Sequence, residues 1–279
     1  MKFTKMHGLG NDFILIDYFA DGQPELDFPS LAVQMCDRFR GIGGDGLILI
    51  LPSARADARM RIFNSDGSEP EMCGNGIRCF AKYLYDRGLV QSNLLQIETL
   101  RGILTVQLHT SDNIVESVVV DMGEPILQPD LIPTTGSGER IVDYPLAVEG
   151  QEVRVTAISM GNPHCIIFAA DAAAVDLSTL GPKLELHPFF PRLTNVEFVQ
   201  VLDKNDVIMR VWERGAGPTL ACGTGACATL VACVLNGKTE RKARVRLPGG
   251  DLYIEWAEDN HLYMTGPATE VFWGETIFI

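Results

Sequence analysis

No stretch of this chain is apolar for long enough to cross a bilayer, the run Leu47 to Leu51 being far too short. The opening MKFTKMHGLGNDF has no extended apolar core of the kind a secretory leader needs, so a cytoplasmic protein is expected. Basic clusters are also missing, and the formal net charge is −13. A nucleic-acid backbone or an anionic membrane surface would be repelled, and neither is expected as a partner. Structural zinc sites use close cysteine pairs with two residues between them. Here Cys73 is followed by Cys79, and Cys222 by Cys227 and Cys233, which is the wrong spacing. With Cys36 and Cys165 the cysteines number seven, an odd count without an export signal, so a disulfide framework is a poor reading and reduced thiols are expected. No pyridoxal-type lysine motif stands out either. Neither a metal nor a cofactor is expected.

What is present is a soluble enzyme's composition, 46% hydrophobic and 21% charged, in 279 residues. That length is comfortable for two domains. The halves repeat one another. Met60-Arg61-Ile62-Phe63 and Met209-Arg210-Val211-Trp212 precede Cys73-Gly74-Asn75-Gly76 and Cys222-Gly223-Thr224-Gly225 by the same distance, at an offset of 149. Gly10-Asn11 and Gly161-Asn162 match at an offset of 151, and Met122-Gly123-Glu124-Pro125 is echoed by Thr265-Gly266-Pro267. Self-similarity at a fixed offset implies a duplicated unit, with domains over 1–125 and 126–269 and a linker at Gln128 to Gly138, rich in turn formers.

Each copy reads as short strands, in the first half Ile14 to Asp17, Leu47 to Leu51, Arg59 to Phe63, Leu95 to Glu98, Ile103 to His109 and Val115 to Val120. The exceptions are Ile77 to Arg87 and Ala226 to Leu235, which have apolar residues at helical spacing and end at Gly88 and Gly237. The expected fold class is α+β: two pseudo-symmetric domains, each a curved, mostly antiparallel sheet wrapped around a central helix, with the active site in the interdomain cleft.

Cys73 and Cys222 stand where those two helices begin. Free N–H groups and the positive end of the helix dipole favour thiolates and carboxylates there. Inverting an α-carbon requires a base on one face and an acid on the other, and a thiolate with a thiol can exchange those roles. Cys73 and Cys222 are therefore the candidate catalytic pair. The plainer reading, two small buried residues at helix starts, does not account for their retention in the repeat amid divergent neighbours. For Cys36, Cys79, Cys165, Cys227 and Cys233 plain packing is the reading.

The strings MHGLGNDF, FNSDGSEPEMCGNGIRC, GNPHCIIF, TNVEF and WERGAGPTLACGTGACA resemble the diaminopimelate epimerase family, across residues 6 to 228. The resemblance implies interconversion of LL- and meso-diaminopimelate without pyridoxal phosphate, supplying lysine and cell-wall precursors, with the motif cysteines as acid and base. It implies substrate contacts at Asn11, Asn64, Asn162, Asn195, Glu213 and Arg214. Arg214 offers a fork for the distal carboxylate, Asn64 and Asn195 their amides, and Glu213 a partner for an ammonium. The backbone of Gly74-Asn75 and Gly223-Thr224 would hold the reacting carboxylate, and His164 would orient the site or tune a thiol. After GIGGD this chain has Gly46 where some members carry a polar side chain that reaches the substrate. The family further implies that a last strand, within 270–279, returns to the first domain. A homodimer is expected from the acidic surface and enzyme size.

Three rival readings are a proline-type racemase, a thiol redox protein and an amino-acid binding module. A racemase of that type shows a His after its first Cys-Gly, where this chain has Asn75, and has no second carboxylate for Arg214. Two sulfurs close enough to bond cannot also flank a substrate carbon. A binding module needs no sulfur on both faces.

Overall fold

A computed structural model describes residues 1–19 and 26–277 and divides into two compact units, Met1–Asp121 with Thr265–Ile279, and Met122–Met264. In the first unit, β1 (Lys2–Gly8) and β2 (Asn11–Asp17) form a hairpin through Leu9 and Gly10, both at positive φ. After α1 (Phe28–Cys36) come β3 (Gly46–Leu51), β4 (Ala58–Asn64), α2 (Gly74–Asp86), β5 (Leu94–Thr99), β6 (Gly102–Ser111) and β7 (Ile114–Asp121). β2 pairs with β3 and β4 with β5 in parallel, and the other neighbours are antiparallel.

The unbroken apolar run of β3 has a direct cause: the strand is covered on both faces. Leu47 and Leu49 join Phe28, Leu31, Ala32 and Met35 of α1 in one cluster. Ile48, on the opposite face, lies under the first turn of α2. α2 is buried from Asn75 to Leu84 and packs against β1, β2, β3, β4, β6 and β7. The sheet therefore curves around it.

The second unit repeats the plan with β8 (Tyr144–Val148), β9 (Gln151–Ser159), β10 (Pro163–Phe168), α3 (Leu177–Glu185), β11 (Asn195–Asp203), β12 (Asp206–Glu213), the short β13 (Gly217–Thr219), α4 (Gly223–Leu235), β14 (Lys242–Leu247), β15 (Gly250–Trp256) and β16 (Leu262–Gly266). β9 and β10 are antiparallel, β10 and β11 parallel, β11 and β12 antiparallel, and β12 and β14 parallel, the same alternation as β1 to β5. β17 (Thr269–Glu275) closes the first unit by pairing antiparallel with β1, Lys5 opposite Phe272. Residues 278 and 279 of the expected last strand lie outside the described residues. The fold is α+β, with each sheet mixed but mostly antiparallel around one buried helix.

Two expectations need correction. The stretch Gln128 to Gly138 is no linker: Ile132 is buried with Ile141, Leu146 and Phe189, and Thr135 N–H donates to Phe189 O. Ile132, between the prolines, anchors it to the second unit. Two further helices, α1 and α3, also belong to the fold. Each is nine residues long and capped by an aspartate, Asp27 to Ser30 N–H and Asp176 to Thr179 N–H. No described helix is long and apolar enough to cross a membrane.

Charge pairs tie the sheets at acid-sensitive points. Burial would raise the Asp12 carboxyl, but hydrogen bonds from Arg38 and Lys5 prevail and hold it at about 2. Hydrogen bonds from Arg246, then Arg244, bring Asp206 to about 2 as well. Both values lie below the unfolded carboxylate near 3.9, so this stabilisation is complete above about pH 4 and is lost as pH falls toward 2. Urea midpoints followed from pH 6 to pH 2 are expected to drop in that window. In Asp206→Asn the drop becomes shallower.

Candidate active site

Cysteine is not a usual helix cap, yet both motif cysteines cap. Cys73 has extended backbone geometry and its Sγ accepts from Gly76 N–H at 3.4 Å, and Cys222 does the same from Gly225 N–H at 3.4 Å. Each sulfur thus occupies the place of a Ser or Asp cap oxygen, at the positive end of a helix. The glycine three residues on lets the strand below approach. A Cβ at Gly76 would meet Ile48 Cδ1 at 3.2 Å, and a Cβ at Gly225 would meet Glu197 Oε1 at 2.7 Å. Gly225→Ala is therefore expected to cost about 1–3 kcal/mol and Gly76→Ala less, because a methyl yields more easily than a buried carboxylate. Urea unfolding of the two variants checks the order.

In the first unit Cys73, Asn75 and Asn11 come together. Asn11 follows the positive-φ Gly10, and its Nδ2 donates to Asp45 Oδ2 at 2.8 Å. That leaves Asn11 Oδ1 to accept from Asn75 Nδ2 at 3.1 Å and from the Cys73 thiol at 3.8 Å. Asn75 Oδ1 accepts in turn from Arg78, a fully buried cation within α2. Asn64 ends β4, exposed, with Nδ2 donating to Ser68 Oγ at 2.9 Å. At Gly46 a Cβ would come within 2.7 Å of Phe63 O, so this backbone has no room for a side chain there.

In the second unit Cys222, Thr224, Asn162 and His164 form a second group. Asn162 Nδ2 lies 3.3 Å from Thr224 Oγ1, which is 3.6 Å from Cys222 Sγ, and His164 Nε2 is 3.1 Å from Asn162 Oδ1. Burial pushes the Cys222 thiol well above its ordinary value, Glu213 and Glu197 add to this, and the Thr224 hydroxyl and Gly225 N–H work against it. Glu213 accepts from the Thr219 hydroxyl. Asn195 turns inward: its Oδ1 accepts from Arg214 N–H at 2.9 Å and its Nδ2 donates to Pro163 O at 2.9 Å. It braces the backbone of Arg214, whose exposed guanidinium donates to Arg192 O at 3.1 Å.

The remaining cysteines are all buried. Burial pushes Cys36 up to about 11 and Cys79 and Cys233 to about 12, which makes them poor thiolates. Sequence reasoning passed over Glu197 and Arg78, both inside quoted motif strings. Their signal was a charge on an otherwise apolar strand or helix face. Among the described residues no three His, Cys, Asp or Glu side chains are grouped to hold a metal ion.

A family model described as diaminopimelate epimerase matches residues 3–128 and 156–271. The diaminopimelate epimerase of Desulfitobacterium hafniense is 61% identical over 275 residues, covering 98% of this chain and 97% of that protein. The one from Pelotomaculum thermopropionicum is 58% identical over 275 residues, covering 99% and 98%. Among solved structures, a PhzF-family phenazine biosynthesis protein from Bacillus anthracis superposes with a TM-score of 0.72 at 18% identity, over 100% of this chain and 99% of that one. A probable proline racemase from Agrobacterium radiobacter gives 0.70 at 15% identity, over 100% and 93%. At such identities these two structures share the fold alone.

Proposed function

The chain belongs to the diaminopimelate epimerase family, and from that premise we propose that it interconverts LL- and meso-diaminopimelate with Cys73 and Cys222 as the proton-transfer pair. The observation that carries this is the twin cap: in each unit one cysteine sulfur stands at the N-terminus of a buried helix, beside its amides. The N–H groups of Gly74 and Asn75, and of Gly223 and Thr224, face the charge of a bound α-carboxylate. One thiolate takes the α-proton and the opposite thiol returns a proton on the other face, which inverts the centre. Exclusion of water and preorganised donors then carry the stabilisation of the carbanion. Arg214 pairs the distal carboxylate and Glu213 an ammonium. The reaction belongs to the supply of lysine and cell-wall precursors in the cytoplasm, and the working form is a homodimer.

The test is proton NMR of LL-diaminopimelate in heavy water with fully reduced protein. Loss of the α-proton signal together with appearance of the meso isomer is expected. No exchange under reducing conditions would overturn the reading and direct the search to one-ended substrates such as proline.

A further inference from the structure

Glu197 is fully buried on β11, its Oε1 is 2.6 Å from His164 Nδ1, and its Oε2 has no hydrogen-bond partner among the described residues. A carboxylate buried and left half unsatisfied is costly. The fold itself does not require it. In the first unit the corresponding positions are Phe13, paired with Gly46 as His164 is paired with Asn195, and Ile48, which lies under Gly76 as Glu197 lies under Gly225. An apolar pair fills the same place there.

The hydrogen bonds beyond this pair have a direction. Asn162 Oδ1 can only accept, so His164 Nε2 must donate to it. Asn162 Nδ2 donates to Thr224 Oγ1, which leaves the hydroxyl hydrogen of Thr224 for Cys222 Sγ. Every donor from His164 onward points toward the sulfur. We propose that Glu197 is a positioning residue whose carboxylate accepts from His164 Nδ1–H and holds both ring nitrogens protonated, so that Nε2 donates to Asn162, and that the chain His164, Asn162, Thr224 thereby delivers a hydroxyl hydrogen to the Cys222 thiolate. Without that proton Nε2 is a lone pair, the Asn162 amide turns over to donate to it, and Thr224 presents a lone pair that favours the thiol. Protonation of the His164–Glu197 pair is thus linked to ionisation of Cys222. The charged groups facing Cys222 are Glu213 from β12 and Glu197 from β11, and His164 from β10 reaches it through Asn162 and Thr224. The titratable groups facing Glu197 are His164, Cys165 and Cys222.

The use of this device rests on Cys222 being an acid/base group, but its chemistry is read without turnover. Nitrogen-15 NMR of the imidazoles in the reduced protein, with His164 assigned through His164→Gln, is expected to find both ring nitrogens protonated at neutral pH, and in Glu197→Gln a ring whose one proton sits on Nδ1 and donates to the glutamine oxygen; retention of the Nε2 proton in that variant would overturn the proposal. The pH profile of Cys222 alkylation by iodoacetamide, in a Cys73→Ser background, gives a second readout. Removing one negative charge near a thiol would by itself shift that profile to lower pH. The chain predicts the reverse, with Glu197→Gln alkylated about tenfold more slowly at a fixed pH below the inflection. Thr224→Val moves the same way while His164 keeps its Nε2 proton. An unprotonated Nε2 in the unmodified protein, or a Glu197→Gln profile shifted to lower pH, would overturn the proposal. A protonated Nε2 in a protein that fails to exchange the α-proton would instead sink the epimerase reading and leave the chain standing.

Discussion

Cys73→Ser and Cys222→Ser will each lower epimerisation roughly 10²–10⁴-fold, the usual worth of a positioned acid or base, with little change in the urea midpoint. Serine is a good N-cap, so the oxygen replaces sulfur as acceptor from Gly76 or Gly225 N–H and each helix keeps its start. What is lost is chemical: an alcohol ionises far above the working pH and cannot serve as base, whereas a thiolate under a helix dipole can. With two bases on opposite faces, either substitution removes conversion in both directions, since each direction needs one group to take a proton and the other to give one. Turnover from LL- and from meso-diaminopimelate, measured for both variants beside urea denaturation, tests this. Near-normal conversion by either serine variant would mean that a single base serves both faces.

The duplication was legible because it leaves constant offsets, and Cys-Gly-x-Gly followed by an apolar stretch specifies a capped buried helix wherever it stands. The helices begin a turn earlier than periodicity alone gives, because the capping cysteines bring Gly74 and Gly223 into them. α1 and α3 escaped notice because each is short and carries proline, Pro29 in the first turn of one and Pro182 inside the other. Their signals, Asp27 before Ser30 and Asp176 before Thr179, are local caps that a search for long periodicity overlooks. The candidate site was readable as a set of residue types and less so as a set of directions. Asn195 is an asparagine in a motif, but only the register of β10 with β11 decides that its amide is spent on Pro163 O and Arg214 N–H. Glu197 sits in a strand covered on both faces, where alternation carries no information about which residue points inward.

Arg78→Met is expected to lower stability by roughly 2–5 kcal/mol, the range for losing a buried, hydrogen-bonded charge, and to lower kcat as well. Methionine matches much of the volume but none of the fork. Nη1 donates to Gly74 O at 3.1 Å, Nη2 to Asn75 Oδ1 at 3.0 Å and Nε to Pro267 O at 3.1 Å. The last bond ties the chain approaching β17 to α2, which is the stability effect. The bond to Asn75 fixes which end of that amide faces Asn11 and, through Asn11 Oδ1, what the Cys73 thiol meets. Arg78→Lys keeps a charge but not the fork, so it should recover part of the urea midpoint and less of kcat. If Arg78→Met loses stability while kcat and the pH profile of Cys73 alkylation stay unchanged, Arg78 is structural only. Position 78 corresponds to Cys227 in the other repeat, which carries no charge, and there Thr224 meets Asn162, as Asn75 meets Asn11, with His164 on β10 behind Asn162. Asn75 and Thr224 stand at equivalent places after their cysteines. Each must present a fixed polar face to a sulfur, and the halves differ in what fixes it: Arg78 within the helix in the first, and His164 acting through Asn162 in the second.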